Sequence, residues 1–269
     1  FVNTVANVLC TAATAVSVTV DCGRPILDVD PCFQLTRFGA VASLGTVQYG
    51  QQRNLTFRMG DTRSGMLDAE PPVVRLTYMY RGKERSKLVS ANPADCESEH
   101  QQIVAHAARN VFTTSVTNLW AAGAGTSAQQ FAAVSNSILA LSPSAATLPL
   151  VAALLKGLEG EVKVGLVDLE SFNKWGVHFL PSIARATLMQ QCNNFKDHSV
   201  QLYGELFKKL RHHGEKVFTK IAPPRPNKHR GANAAAACAA PVDMTSYYDC
   251  DGGCVLGGCL VALAGGRHV

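Results

Sequence analysis

No stretch of about 18 or more uninterrupted apolar residues occurs in the chain, so nothing in it reads as a transmembrane helix. Cysteine is sparse: nine in 269 residues is a low density and an odd count, which excludes a small disulfide scaffold. Phe1 to Val20 is broken by Asn3, Asn7 and several Ser or Thr and has no basic leader, so it does not read as a signal peptide. These absences favour a reducing, cytoplasmic setting. A paired Cys-x2-Cys is also missing, so the loose run Cys250, Cys254, Cys259 does not make a zinc site. No metal and no cofactor is expected.

What is present is the composition of a folded protein: 47% hydrophobic and 17% charged residues do not predict disorder. Charge is unevenly placed. Between Val200 and Arg230 eight basic residues face Glu205 and Glu215, a local charge of +6 that leaves the remainder near −1. Such a strip can meet an acidic partner or nucleic acid. No nucleic-acid motif and no aromatic interleaving accompany it, so the expectation is a solvated helix face leading into a basic linker, and not nucleic-acid binding.

The periodicity changes along the chain. Val2, Val5, Val8 and Leu9 have helical spacing within Phe1 to about Ala13. Val16, Val18 and Val20 then alternate with polar residues, as do Leu55, Phe57 and Met59, and Val74, Leu76, Tyr78 and Tyr80. Shorter strands are expected at 33–38 and 41–49. Together these predict a small antiparallel β-sandwich over 14–92. Asn54-Leu55-Thr56 fits the N-glycosylation pattern but reads as strand. From Asp95 the period is helical. Ser98 with Gln101 and Thr126 with Gln129 are candidate capping boxes. Further helices are expected at 148–158, at 172–192 with a break or kink at Pro181, and around Tyr203 to Phe218. Trp175 and Phe179 read as core. The fold class is α+β: a sandwich, then a helical module over 93–222, a Pro/Ala-rich linker over 223–241 serving as a tether, and a short Gly-rich tail over 242–269 with too little to bury alone.

Two stretches carry a resemblance. Lys174-Trp175-Gly176-Val177-His178-Phe179-Leu180-Pro181-Ser182, with Gln190 to Asp197 and Tyr203-Gly204, resembles the helical Vwaint module of proteins that join a von Willebrand A domain to a hedgehog/intein (Hint) domain. Cys254-Val255-Leu256-Gly257, with Val261, Leu263 and Gly266, is similar to the opening of a Hint domain, with Val255 where an aromatic is usual. Leu44-Gly45 and Gln48-Tyr49-Gly50 are similar to the β-region after the A domain. The resemblance implies that 1–13 is the last helix of an A domain and that 242–269 begins a Hint domain. Phe1 in place of Met, and an end at Val269 within a strand pattern, read as an internal piece of a longer soluble multidomain protein.

The same resemblance implies a chemistry. Cys254 would attack the carbonyl of Gly253 and exchange the amide for a thioester, because sulfur is nucleophilic and leaves well. The step also needs a histidine acid/base, normally in a Thr-x-x-His block, which this chain does not contain. The expected function is therefore a linking region ahead of an autoprocessing domain, without enzymatic activity in these 269 residues. The alternative is a protein-interaction scaffold, adhesion-type or ubiquitin-pathway associated, with an inert Hint-like tail. Protein partners are expected under either reading. Cys192 with His178 is a conceivable nucleophile–base pair, but packing and polar capping are the plainer roles; His212 and His213 read as surface histidines.

Overall fold

A computed structural model of the chain describes residues 2–22, 26–29, 31–37, 39–60, 72–90, 100–191, 204–222 and 259–265. The chain opens with helix α1 (Val2–Leu9), and strands then follow without an intervening described helix. β1 (Thr11–Asp21), β3 (Phe33–Leu35), β4 (Gly39–Gln48), β6 (Val73–Tyr80) and β7 (Lys83–Ser90) form one antiparallel sheet in the order β3-β4-β1-β6-β7. β2 (Ile26–Val29), β5 (Arg53–Met59) and β8 (Cys259–Gly265) form a second, with β5 central. The two sheets share a core in which Leu55 and Phe57 of β5 meet Val16, Val18 and Val20 of β1 and Ala42 and Leu44 of β4. Phe33 meets Phe57 edge to face, with centroids 6.2 Å apart. This is the predicted sandwich, and the helices follow it.

Differences from the sequence expectation have local causes. Helix α1 ends four residues before Ala13, and β1 begins at Thr11. Register shifts at Ala13 and Val16, with Ala15 at φ +49°, scramble the alternation that would have marked the strand's start. β7 had no apolar alternation to announce it: every residue from Lys83 to Ser90 is exposed. It is an edge strand, and its Lys, Arg and Glu side chains suit an edge that must not recruit another strand. Its entry turn is sharp. Arg81 and Gly82, both at positive φ, join Tyr80 to Lys83 in the mirror-image turn that matches strand twist. Within the segment read as tail, β8 forms at the position of Val261 and Leu263 and runs parallel to β5.

The helical part is built on α2 (His100–Ala122). α3 (Ala128–Leu139), α4 (Pro149–Gly157), α5 (Lys163–Val167) and α6 (Val177–Met189) surround one of its faces, and their core includes Phe112, Trp120, Phe131, Leu154, Leu166 and Leu180. The capping box of α3 lies one residue later than expected: Ser127 accepts from the Gln130 N–H, and the Gln130 side chain accepts from Ser127 N–H at 2.8 Å. Thr126 is instead buried, its N–H given to the Leu166 carbonyl. Ser98 lies outside the described residues. The break between α4 and α5 falls at Gly160, whose ψ of −113° leaves the helical range. Pro181 does not end a helix; α6 runs through it after a wide turn over Phe172–Gly176.

Trp175 and Gly176 owe their place to contact. Gly176 lies against the backbone of Gly165, where a Cβ would come 2.7 Å from the Gly165 carbonyl oxygen, and the Trp175 ring lies over Gly165 itself. Trp175 also packs edge to face on Phe179, 5.4 Å between centroids. Gly176→Ala is expected to cost about 1–3 kcal/mol, because two backbones must separate. Chemical denaturation followed by far-UV dichroism measures it, and an unchanged midpoint would show that the two helices do not touch there.

Candidate functional site

β5 is buried on both faces, and that produces the most concentrated polar site among the described residues. Leu55 and Phe57 point into the sandwich, while α2 lies against β5 on its other side. Gln48, Gln51, Arg53, Asn54 and Thr56 are all buried, as are His106 and Arg109 of α2 and Gln190 at the end of α6. Groups removed from water need partners, and most of these find them across the seam between strands and helices.

Gln190 is the centre of this seam. It ends α6 in the left-handed conformation, φ 48° and ψ 44°. Its side-chain oxygen accepts the Asn54 N–H at 2.9 Å, and its Nε2 donates to the Asn54 carbonyl at 2.7 Å. One amide thus pairs with both backbone groups of a strand residue, as a neighbouring strand would. Asn54 lies beyond the β2 pairing, which runs from Val29 opposite Phe57 to Ile26 opposite Met59. The last carbonyls of α6, which lack helical donors, are taken in turn: Arg53 Nη1 donates to the Met189 oxygen, and Gln51 Nε2 donates to the Gln190 oxygen at 3.1 Å. The partly negative helix end suits the guanidinium. On the α2 side Asn110 Nδ2 donates to Thr56 Oγ1 at 2.8 Å, and Arg109 Nη2 donates to Asn110 Oδ1 at 3.0 Å.

His106 is pushed down to about 3 by burial and then by the nearby Arg109 cation. It is neutral at any ordinary pH. Its Nδ1 has no partner among the described residues. Cys10 is also buried, which raises its thiol to about 11 and leaves it a poor nucleophile. Among the described residues the seam's hydrogen bonds run between strands and helices and position them on one another.

A second contact joins the same parts. Gly204, just before α7 (Glu205–Phe218), lies on the turn after β4: a Cβ there would stand 2.3 Å from the Tyr49 carbonyl oxygen, and Gly50 is at φ +75°. α7 then packs on α1 through Phe207, Ala6 and Cys10. The Tyr49-Gly50 and Gly204 positions, read separately from the sequence, are neighbours in space.

The sequence-predicted site, Cys254 with Gly253, lies outside the described residues, as do Cys192 and Cys250. His178 is exposed on α6, and His212 and His213 are exposed on α7. The seam itself was missed. Alternation in β5 gives Asn54 and Thr56 the look of a solvated face, and only Gln190, within the Vwaint-like stretch, carried any signal. Asn54 is 5% exposed and Thr56 8%, so the glycosylation pattern is strand, as read.

These features define an α+β protein whose two parts are joined by buried polar contacts. Residues 148–216, from the start of α4 to within α7, match the family model Vwaint, described as VWA / Hh protein intein-like. Trp175, Gly176, Gln190 and Gly204 all fall inside that match. No curated protein and no solved structure matches the chain. Among the described residues no helix is long and apolar enough to cross a membrane.

Two measurements test the seam. Gln190→Gly keeps the left-handed backbone but abandons both Asn54 groups, and is expected to cost about 1–3 kcal/mol for each; a neutral result would mean that water replaces the amide. For His106, the unfolded chain binds a proton below about pH 6.5 that the folded chain refuses until pH nears 3. Its contribution is fully present above pH 6.5 and is lost as pH falls, by up to about 1.4 kcal/mol per pH unit. His106→Leu should flatten the stability slope between about pH 6.5 and 5, where carboxylates change little. A slope identical to the parent's would show that His106 charges freely in the fold.

Proposed function

We propose that this chain is the linking region of a multidomain protein, holding a β-sandwich and a Vwaint module in fixed relation ahead of a self-processing Hint domain. The observation that carries the reading is the family match over 148–216. Two further features support it. The Cys254-Val255-Leu256-Gly257 opening follows a Gly-Gly pair, and Val261 and Leu263 follow it at strand spacing, although in this chain that strand, β8, pairs with β5 of the sandwich.

In this reading the Cys254 sulfur attacks the Gly253 carbonyl carbon. The C–N bond between the two residues breaks, the freed nitrogen takes a proton, and everything up to Gly253 is held as a thioester on Cys254. Glycine leaves the carbonyl unhindered. An acid/base histidine from a downstream block completes the step.

In the full-length protein, added thiol should displace the Cys254 sulfur and release the part ending at Gly253 as a new thioester. Cys254→Ala should abolish release, while Cys250→Ala and Cys259→Ala should leave it largely intact. Mass spectrometry of the products decides. Intact full-length protein under thiol, or cleavage that survives Cys254→Ala, removes the self-processing reading and leaves a protein-interaction scaffold with an inert Hint-like tail.

A further inference from the structure

The α1–α7 pair leaves an apolar edge uncovered. Val2 reaches Gly214, while Ala6 and Cys10 meet Phe207, so the helices run antiparallel. At about 100° per residue, Leu206 and Val217 share one side of α7, next to the Phe207–Gly214 contact line. Val5 and Leu9 stand in the same relation to the contact line of α1. Antiparallel packing brings both edges to one side of the pair. All four are open to solvent: Val5 38%, Leu9 62%, Leu206 40% and Val217 48% exposed.

The charge beside this edge is mostly basic, with Glu205 the one carboxylate of α7 on the same flank. On α7 Lys208 pairs with Glu205 at 2.6 Å and Arg211 lies 3.8 Å from Glu215. Lys209, Lys216 and Lys220 take part in no ion pair among the described residues. Lys209 and Lys216 fall together by helical spacing, on the flank of the Leu206–Val217 edge that faces away from α1, and Lys220 lies in the turn just past the end of α7. The result is a groove with an apolar floor and, along one wall, Lys209 and Lys216, neither in an ion pair among the described residues, with Lys220 just beyond the helix end.

We propose that this groove is occupied by the chain's own segment 242–251. Val242-Asp243-Met244-Thr245-Ser246-Tyr247-Tyr248-Asp249-Cys250-Asp251 carries three carboxylates, no cation, and four large apolar or aromatic side chains. It therefore matches the groove in both charge and apolar content. Residues 223–241 connect it to the end of α7; at about 3.5 Å each they reach some 65 Å, against roughly 21 Å for the 14 residues of α7. Held so close, the segment needs only weak intrinsic affinity, since a short tether gives an effective concentration in the millimolar range. Of the other acid-rich stretches, 91–99 lacks large apolar side chains and 61–71 carries Arg63 among its acids. Docking places Gly253 and Cys254 directly after a bound segment, and it stands whether or not Cys254 reacts.

Hydrogen exchange read by mass spectrometry on the 269-residue chain tests the proposal. Amides of 242–251 should exchange at least about tenfold more slowly in the parent than in Lys209→Glu/Lys216→Glu. Adding Asp243→Lys/Asp249→Lys to that variant should restore protection, because the charges are exchanged and not merely removed. Asp243→Asn/Asp249→Asn gives a second release that leaves the helices untouched. Equal exchange of 242–251 in the parent and the charge-reversed chain overturns the proposal. So does co-sedimentation of the parent with phosphatidylserine vesicles, lost on Lys209→Glu/Lys216→Glu, if 242–251 is unprotected throughout: the groove would then serve an anionic lipid surface.

Discussion

The pairing of the Gln190 amide with the backbone of Asn54 is the contact on which the relation of the two parts depends. β5 has to be buried twice, once by the sandwich and once by α2, and a strand residue in that position cannot leave its N–H and C=O without partners. β2 is too short to reach Asn54. A side-chain amide is the smallest group that offers both an acceptor and a donor in the spacing of a neighbouring strand. Supplying it from the last residue of α6 fixes where that helix must end. The left-handed turn at Gln190 then exposes the Met189 and Gln190 carbonyls, which Arg53 and Gln51 claim. Strand and helix terminus thus satisfy each other.

The same arrangement accounts for the character of α2. A helix with one buried face shows a strong apolar stripe; α2 buries Val104, Ala108, Phe112 and Trp120 on one face and His106, Arg109 and Thr113 elsewhere. Its second buried face is polar because it meets the polar residues of β5. Burial then holds His106 neutral. The seam is therefore strongly specified by hydrogen bonds between strands and helices. Polar contacts of this kind fix register better than they add stability, since each merely replaces water.

Much of this was legible beforehand, and the pattern of success is physical. Strands with one solvated face, such as β1 and β6, announce themselves by alternation, and so the sandwich and its position before the helices could be read. β7 is exposed throughout and β5 is buried from Arg53 to Phe57, so alternation describes neither correctly. Gly176 and Gly204 could be picked out as family-like, but their reason, a backbone approach to Gly165 and to Tyr49-Gly50, needs three dimensions. The cap falls at Ser127 and not Thr126, where the N–H groups of Gly125 and Thr126 both go to the Leu166 carbonyl, forty positions from Thr126. Long-range partners are what a local reading cannot supply.

The family match over 148–216 marks a shorter stretch than the one that packs. α6 lies chiefly against α2, which precedes that stretch, and its end is held by β5. α7 finds its buried partner in α1, at the opposite end of the sequence. Cutting at Leu148 would uncover the core around Phe112, Val116 and Trp120, and would leave Gln190 and Phe207 without what they bind. The matched residues thus pack against partners on both sides of them in the sequence, in α2, β5 and α1. Two contacts hold the strands and the helices together within this chain, Gln190 on Asn54 and α7 on α1.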